Sequence, residues 1–399
     1  MNDHNKIPTS DIENFQNQLN NPNTPFANQF QEGGRVQKIN KNLILSYVSD
    51  STGCGHIRNI FPMSYLNSVF GKTGNFNVML SPVMIFQEDI LMRTRSIFFQ
   101  RTMDPRQKGA VQHYRKLKEK FNFKMIYDID DFIWKGPDAG EQIPDYNFGS
   151  ESIGDDVRQS SIDIMNMMDT VCVSTEFLKY YLETHGVTSP IVVVGNTVAQ
   201  YFWGPDRRAP IKNKIIKPRV ICQSSPTHWH EGKKLKGDWE NAWCDWVIKN
   251  VKENKIDFCM MGGGAFFFEE IKDKIKIIPW VNSYQYHLPI KEFKPHFSIA
   301  PLVPNYFNYS KSNLRLLEAS AAGAICMGSV FTNGQPSPYD ENFVKVPDNV
   351  TVQDIDDIFW SLTEPNVFND IIQKQYQYLD QNGKWTESPM FINSFASLF

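Results

Sequence analysis

Short apolar segments alternate with longer amphipathic segments along most of the chain. The first predicted strand, 42–49, runs into a glycine turn and a helical segment that begins near Ile60. Further strands are predicted at 77–80, 96–101, 123–127, 170–174 and 191–194, with helices at 104–121 and 162–168. A strand, a glycine turn and a helix open a doubly wound sheet. We therefore expect a parallel α/β domain.

The alternation breaks at 196–218, a segment rich in Gly, Pro and Lys that is typical of a linker. A second alternation follows, with strands predicted at 219–225, 257–261, 275–280 and 297–302, and a helix at 239–250. Two Rossmann-like domains are expected to face each other across a cleft, with the ligand at the carboxyl ends of their strands. The predicted regions are an N-terminal arm at 1–38, a first domain at 39–200, a second domain at 201–350 and C-terminal helices at 351–399 that pack back across the domains.

Composition narrows the class of protein. A chain of 399 residues has room for two ordinary domains. Its net charge of −3 gives no global field toward nucleic acid or membrane, so nucleic-acid binding would need a local basic patch. The six cysteines are scattered, which argues against a zinc site and a disulfide framework. No apolar run reaches the roughly 18 residues of a membrane span, and the polar N-terminus lacks a secretory core. We expect a cytoplasmic protein that contacts no membrane. The sequence does not predict its oligomeric state.

The segment 311–328 carries the clearest candidate chemistry. Lys311, Arg315 and Glu318 are spaced by four and three residues, so they are predicted to share one helical face. The start of this helix favours an anion, and Glu318 can accept hydrogen bonds from vicinal hydroxyls. A diphosphate near Lys311 and a ribose near Glu318 would suit a nucleotide-sugar site. The alternative is an amphipathic helix with solvated charges.

A cluster of aspartates ends the predicted strand 123–127. Asp128, Asp130 and Asp131 would place like charges at short range, which raises the pKa of at least one of them. A raised pKa is what a general base requires. The alternatives are capping of the next helix and, ranked lower, a metal site.

Several loops offer further candidates. In the first half, Gly53, Gly55 and Arg58 form a glycine loop whose backbone a ligand can approach closely, or simply a tight turn. In the second half, five candidate residues come after predicted strands. They are Ser225, Thr227, His228, Gly263 and Trp280. The hydroxyls can donate to phosphate, the glycine lets a base lie on the backbone, and the indole can stack on it. A solvated basic loop and a core tryptophan are the alternatives.

The segment 297–328 resembles the donor-site signature of the GT-B glycosyltransferases. In that superfamily a strand ending in Ala-Pro-Leu precedes a Lys- and Ser-rich helix, a Glu and a turn of small residues. The resemblance implies a donor site built by Lys311, Asn313, Arg315, Leu316 and Glu318. Some families carry a second acid eight residues before the Glu. Ser310 stands there in this chain, so the role of that acid is not carried over.

Three further segments, 97–101, 127–131 and 224–228, resemble a glycosyltransferase subgroup common in bacteria and tailed phages, and more distantly the T-even phage DNA α-glucosyltransferases. The latter have a His-Asp pair at the strand end that Asp130 and Asp131 occupy here. The resemblance covers roughly 42–330. It implies a hexosyl- or pentosyltransferase of GT-B fold that needs no cofactor or metal, with a donor, UDP-sugar favoured, in the second domain and the acceptor in the first.

The acceptor is open at this point. The subgroup and the Asn-, Lys- and Phe-rich composition suggest a phage enzyme, for which 5-hydroxymethylcytosine in double-stranded DNA is a tentative acceptor. Arg101 and Arg106 belong to a basic run, 93–118, that would then contact phosphates. The alternatives are a cell-surface glycan or protein acceptor, a nucleotide-sugar epimerase on the same fold, and a DNA-binding module without chemistry. The stereochemical outcome does not follow from the sequence.

Overall fold

The computed structural model describes residues 41–50, 53–134, 155–204 and 207–399, so the expected N-terminal arm lies outside the described part. The described strands form two six-stranded sheets in which every pair is parallel. They are β1 (Leu43–Tyr47), β2 (Asn77–Ser81), β3 (Thr94–Gln100), β4 (Lys124–Ile129), β5 (Thr170–Val173), β6 (Ile191–Val193), β7 (Arg219–Gln223), β8 (Asp257–Met261), β9 (Lys276–Ile278), β10 (Phe297–Ala300), β11 (Ile325–Val330) and β12 (Val344–Pro347). The predicted α/β class, with two doubly wound sheets, is confirmed.

Strand order locates the place where each sheet can hold a ligand. The first sheet runs β2-β1-β3-β4-β5-β6 and the second β12-β11-β10-β7-β8-β9. The order reverses between β1 and β3 in the first sheet and between β7 and β10 in the second. Ligands of doubly wound sheets bind outside the carboxyl ends of the strands at such reversals.

Helices join these strands. The α-helical segments are Gly53–Gly55, Phe61–Phe70, Glu88–Arg93, Pro105–Phe121, Asp155–Met165, Glu176–Thr184, Gln200–Trp203, Ala242–Lys252, His287–Phe293, Tyr306–Ser310, Leu314–Ala321, Val352–Ser361, Pro365–Gln381 and Pro389–Ala396. A π-helical turn spans His56–Ile60, and 3₁₀ turns span Pro226–His228, Gly237–Trp239 and Phe266–Lys274. In the described part of the chain no helix is both long and apolar enough to cross a membrane.

Local sequence sets the bounds of the Pro105–Phe121 helix. The Asp104 side chain accepts a hydrogen bond from the Arg106 amide, and Pro105 fits the first helical position. The helix stops where Asn122 adopts the left-handed conformation.

Both faces of each sheet are buried, as parallel sheets require. Along β1, Leu45 packs into the core on one face and Ile44 into the core on the other. Along β7, Val220 packs into the core on one face and Ile221 into the core on the other. The central strands are therefore rich in buried apolar side chains, and Asp130, Asp131 and Ser225 follow at the carboxyl ends of β4 and β7.

Within the described residues the chain crosses between the two sheets twice, and the two crossings are bonded to each other. Val198 pairs with Trp385 in a parallel bridge, and the hydroxyls of Thr197 and Thr386 lie 2.8 Å apart. Beyond the second crossing, the Pro389–Ala396 helix packs against the first sheet. The two preceding helices contribute instead to the core of the second sheet.

The structure corrects the predicted helix at 311–318. The helix begins at Leu314 with Asn313 as its N-cap, and Lys311 has an extended backbone at the end of the separate Tyr306–Ser310 helix. Lys311 therefore does not share a helical face with Arg315 and Glu318. The chain bends here because the segment contacts the first domain on both sides of Lys311, as described below.

Candidate active site

The carboxyl ends of the two sheets face each other across a cavity of about 250 Å³. The first sheet contributes Gly53, after β1, together with Asp130 and Asp131, after β4. The second sheet contributes residues after β7 and β10 and from the start of the Leu314–Ala321 helix, among them Ser225, His228, Lys311, Arg315 and Glu318. The cavity thus lies at both strand-order reversals.

Arg101 joins the two aspartates on the first-domain wall. Its Nε lies 2.6 Å from Asp130 Oδ1 and its Nη2 lies 2.7 Å from Asp131 Oδ2. The three side chains are largely buried, Asp131 being the most exposed at 17%. The predicted DNA-contact residue Arg101 is therefore engaged in two ion pairs beside the cavity.

The two carboxylates differ in charge environment. Burial raises the pKa of Asp130, and Arg101 only partly opposes this effect. Burial acts in the same direction on Asp131, but Lys311 and Arg101 outweigh it, so the pKa of Asp131 is lowered. Asp130 is therefore the better proton acceptor, while Asp131 stays ionised across the neutral range.

Asp128 lies apart from this pair. It is fully buried and its Oδ1 lies 2.5 Å from Nη2 of Arg58. Arg58 also donates to the carbonyl of Val194 and to Asn196 Oδ1, at 2.5 and 3.1 Å. Asp128 and Arg58 are outside the cavity lining and tie the Gly53–Ile60 segment to the sheet beneath it.

The glycine loop brings backbone close to the carboxylates. Gly53 lines the cavity, whereas Gly55 faces Asp50, whose carbonyl oxygen would lie 1.9 Å from a Cβ at that position. Gln100 holds the loop by donating to the carbonyl of Cys54 at 2.9 Å. A larger residue in place of Gly55 would push this loop away from the aspartates.

Three side chains that could bind a metal ion lie close together beside the cavity. The ligand atoms of Cys54, Asp130 and Asp131 are within 4.8 Å of one another. Arg101 already balances both carboxylates, and burial raises the pKa of the Cys54 thiol, which disfavours the thiolate that a metal needs. The group fits a cation poorly.

The second-domain wall supplies cations. Lys311 lines the cavity with its ammonium 4.0 Å from the centroid of the Phe307 ring. Arg315, in the first turn of the next helix, lies beside Tyr339. The Tyr339 ring fits there because position 328 is glycine, where a Cβ would lie 2.2 Å from the ring. These two cations can receive a diphosphate.

Glu318 lies further along the same wall. It is 8% exposed, and its carboxylate accepts a hydrogen bond of 3.1 Å from the hydroxyl of Tyr286. Burial, opposed by Arg315, raises the pKa of Glu318 to about 7. A buried carboxylate with free lone pairs facing a cavity is suited to accept hydrogen bonds from ligand hydroxyls.

His228 is held in a fixed orientation. Its Nδ1 lies 2.6 Å from Asp238 Oδ2, and the other oxygen of Asp238 accepts from Asn308 Nδ2 at 2.6 Å. Burial and the nearby Lys311 lower the pKa of His228, so its ring is neutral at pH 7. With Nδ1–H donating to Asp238, Nε2 is available to accept a hydrogen bond.

The loops after β7, β8 and β9 complete the second-domain wall. Ser225 lines the cavity, and its hydroxyl lies 2.5 Å from that of Thr227, which stays outside the lining. After β8 the lining residue is Gly262 and not Gly263, and a Cβ on Gly262 would lie 2.1 Å from the carbonyl oxygen of Ser224. Trp280 lines the cavity and is 53% exposed, which leaves its ring free to stack on a ligand.

No family model and no curated protein matches this sequence. Solved structures do match. A glycosyltransferase from Rickettsia africae ESF-5 has a TM-score of 0.58 at 13% identity, over 90% of this chain and 98% of that one. Alr3699/HepE from Anabaena, in complex with UDP and glucose, has a TM-score of 0.56 at 9% identity, over 90% and 99%. Sucrose-phosphate synthase from Thermosynechococcus elongatus has a TM-score of 0.52 at 10% identity, over 90% and 98%.

The chain has the GT-B fold. Within this GT-B architecture, Ser310 has a structural role at the contact between the two domains. It is fully buried, its Oγ accepts a hydrogen bond of 2.9 Å from the amide of Phe132, and its carbonyl accepts one of 3.0 Å from Thr175. Asn196 adds a bond of 2.7 Å to Ser312. These bonds anchor the bend around Lys311 to the first domain.

Three further residues singled out from the sequence, Asn313, Leu316 and Arg106, are not part of the cavity lining. Asn313 donates to the hydroxyl of Tyr378 at 2.9 Å. Leu316 is fully buried in the core. Arg106 is 89% exposed on an outer helix, where it pairs with Asp104.

Sequence reasoning missed several lining residues of the GT-B cleft, namely Asn196, Phe202, Trp203, Tyr286 and Tyr339. The first three lie in or next to the segment interpreted as a linker, where no periodic pattern indicates which side chains face inward. Tyr339 had an indirect signal, because a glycine inside β11 indicates that something bulky packs against that strand.

Proposed function

We propose that this protein transfers a sugar from a nucleoside diphosphate sugar, UDP-sugar favoured, to a hydroxyl group of an acceptor. One observation carries the proposal. The cavity brings Lys311, Arg315 and Glu318 of the second domain opposite Asp130 and Asp131 of the first. Cations for a leaving diphosphate and a base for an attacking hydroxyl thus meet in one site.

The donor would lie along the second-domain wall. Lys311 and Arg315 stabilise the negative charge that develops on the departing diphosphate. Glu318 accepts hydrogen bonds from the ribose hydroxyls, and the base stacks at the aromatic end of the cavity, near Trp280 and Tyr286. The similarity to Alr3699/HepE, described in complex with UDP and glucose, supports UDP as the nucleotide.

The acceptor would enter from the first-domain wall. Its hydroxyl attacks the anomeric carbon of the donor sugar, the bond from that carbon to the diphosphate oxygen breaks, and the hydroxyl proton passes to Asp130. Asp130 suits this step because its pKa is raised. Asp131 stays ionised and faces the second domain. No cofactor or metal is part of this scheme.

A second candidate function, epimerisation of a UDP-sugar, shares the site. Epimerisation that releases or inverts the sugar needs paired acids and a histidine in the cleft, and His228 lines the same cavity as Asp130 and Asp131. The two functions differ in one requirement, since only transfer needs an acceptor. Incubation with UDP-sugars alone separates them.

DNA with 5-hydroxymethylcytosine is the finer acceptor hypothesis. Phosphate contacts need free cations. Several basic side chains of the run 93–118 instead pair with carboxylates of their own domain. Lys108 pairs with Asp163 at 2.5 Å, and Lys118 pairs with Asp169. These pairs favour a small or glycan acceptor, and DNA is kept as one arm of the test.

A donor-by-acceptor screen by mass spectrometry tests the proposal. UDP-sugars are combined with glycans, peptides and plain or hydroxymethylated duplex DNA, and Lys311→Ala protein serves as the control. We expect one acceptor to gain the mass of one sugar residue, with release of UDP that the control largely lacks. A sugar isomer or free sugar without acceptor would indicate the second candidate. Absence of UDP release from every donor would contradict both.

A further inference from the structure

Arg101 adopts an unusual backbone conformation to reach the two aspartates. Its φ is +45°, in the left-handed region that non-glycine residues seldom occupy. Its amide donates to the carbonyl of Asp128 at 2.9 Å, which continues the β3–β4 ladder by one residue. The turn sends the guanidinium across the end of β4. Strain of this kind persists where the surrounding structure holds it and is concentrated at functional sites.

We propose that Arg101 is a positioning residue that holds Asp130 and Asp131 as a separated, ionised pair facing the donor domain. The inference rests on the proposed function for the role of the two aspartates, and on the geometry of this structure for the role of Arg101. A planar guanidinium can bridge two carboxylates with two different nitrogens, whereas an ammonium is a single point charge. Each aspartate keeps its second oxygen for a ligand.

The charges around the pair explain why a bridging cation is needed. The groups that act on the two carboxylates from the surrounding elements are Cys54, Arg58, Arg101, Asp128, His228 and Lys311, with Asp50 acting on Arg101 and Cys54. Arg58 is already paired with Asp128, and Lys311 belongs to the other domain. Among the described residues of the first domain, Arg101 is therefore the cation that contacts both carboxylates. Without it, two buried like charges would share one proton.

The inference predicts a pH signature in unfolding. In Arg101→Gln the aspartate pair binds a proton in the folded state at a pH where the unfolded aspartates are ionised. The variant should then lose more stability at pH 8 than at pH 5.5, because stability that depends on a raised pKa is lost as pH rises. Thermal unfolding across this range measures the difference. Arg106→Gln, on the outer helix, is the matched control and should show no pH-dependent loss.

Hydrolysis of UDP-glucose, with water as the acceptor, gives the second readout. Water attacks the anomeric carbon, the bond to the UDP oxygen breaks, and the aspartate pair takes the proton. We expect the acid limb of the Arg101→Gln pH–rate profile to move upward by about one pH unit, so that the rate at a pH on this limb falls about tenfold and recovers at higher pH.

A second variant protects the test against misfolding. Arg101→Lys keeps one cation that reaches one carboxylate. The extra stability that this variant loses at pH 8 relative to pH 5.5 should therefore lie between the values for wild type and Arg101→Gln. A loss of stability equal at every pH in both variants would overturn the role of Arg101. This outcome is independent of the proposed function, which fails separately if the wild type releases UDP from no donor.

Discussion

The hydroxyl of Tyr286 donates a hydrogen bond to the carboxylate of Glu318, 3.1 Å away. Both side chains line the cavity between the two domains. Burial, opposed by Arg315, raises the pKa of Glu318 to about 7. In the free protein this carboxyl is therefore close to half protonated at neutral pH. A bound nucleotide whose hydroxyls donate hydrogen bonds to the carboxylate would favour its ionised form.

Glu318→Gln should be more stable than wild type at high pH. The ordinary pKa of a glutamate is lower, 4.5, so the folded state binds an extra proton between pH 4.5 and about 7. The stabilisation that this proton provides is complete below pH 4.5 and is lost as pH rises through 7. The neutral amide avoids this loss, which amounts to about 3 kcal/mol at pH 8. Melting temperatures should diverge at pH 8 and converge near pH 4.5, and an equal difference at both would contradict the prediction.

Lys311→Ala should lower turnover by about 100-fold, the scale of losing one group that stabilises developing charge. The melting temperature should fall only modestly, because Lys311 lines the cavity and Arg101 still pairs with Asp131 when the lysine is removed. Single-turnover release of UDP measures the effect. Lys374→Ala, which removes an exposed lysine paired with Asp370, is the matched control. Turnover within twofold of wild type would remove Lys311 from the site.

Asp130→Asn should lower transfer by about 10²–10⁴-fold, the usual contribution of a general base. Asp131→Asn should also lower it, because the Asp131 carboxylate would no longer pair with Arg101. UDP binding should hardly change in either variant, since both residues belong to the opposite wall. Single-turnover rates with calorimetric affinities decide this. Wild-type transfer rates in both variants would leave the mechanism without a base.

Asp128→Asn should affect stability more than chemistry. The substitution leaves Arg58 as a buried charge without its carboxylate, which costs about 3–5 kcal/mol. Asp370→Asn, which removes an exposed partner of Lys374, should cost under about 1 kcal/mol. Urea unfolding measures both. A folded, stable Asp128→Asn protein that binds UDP but has lost transfer would contradict the structural role.

The fold was predictable because its signal is local and repeated. Apolar runs such as β7 and β10 lie in parallel sheets that bury both faces, so they stand out from the helices between them. The Leu314–Ala321 helix shows the limit of this reasoning. Its spacing predicts a start near Lys311, but Ser310 and Ser312 form hydrogen bonds to the other domain, and these bonds start the helix three residues later. Such long-range contacts leave no periodic pattern.

The candidate site was predictable where residues follow strands or belong to the segment 311–328. Asp130, His228, Lys311 and Glu318 all lie at the cavity. Asp128 could not be separated from Asp130 by sequence, because its burial depends on Arg58, 70 positions away along the chain. The same holds for Arg101, whose basic neighbours suggest a phosphate contact, whereas its two carboxylate partners follow a different strand, β4.

Titration of UDP into wild type and Glu318→Ala tests the central claim most directly, namely that the second-domain wall binds a nucleoside diphosphate. Loss of charge-assisted hydrogen bonds should weaken binding by about 1.5–3 kcal/mol, which is roughly 10- to 150-fold in Kd. Glu364→Ala, at an exposed pair with Lys214, should bind as wild type does. The account predicts a measurable wild-type Kd and this loss in a folded Glu318→Ala protein. An unchanged Kd in that variant, or no UDP binding by the wild type, would contradict it.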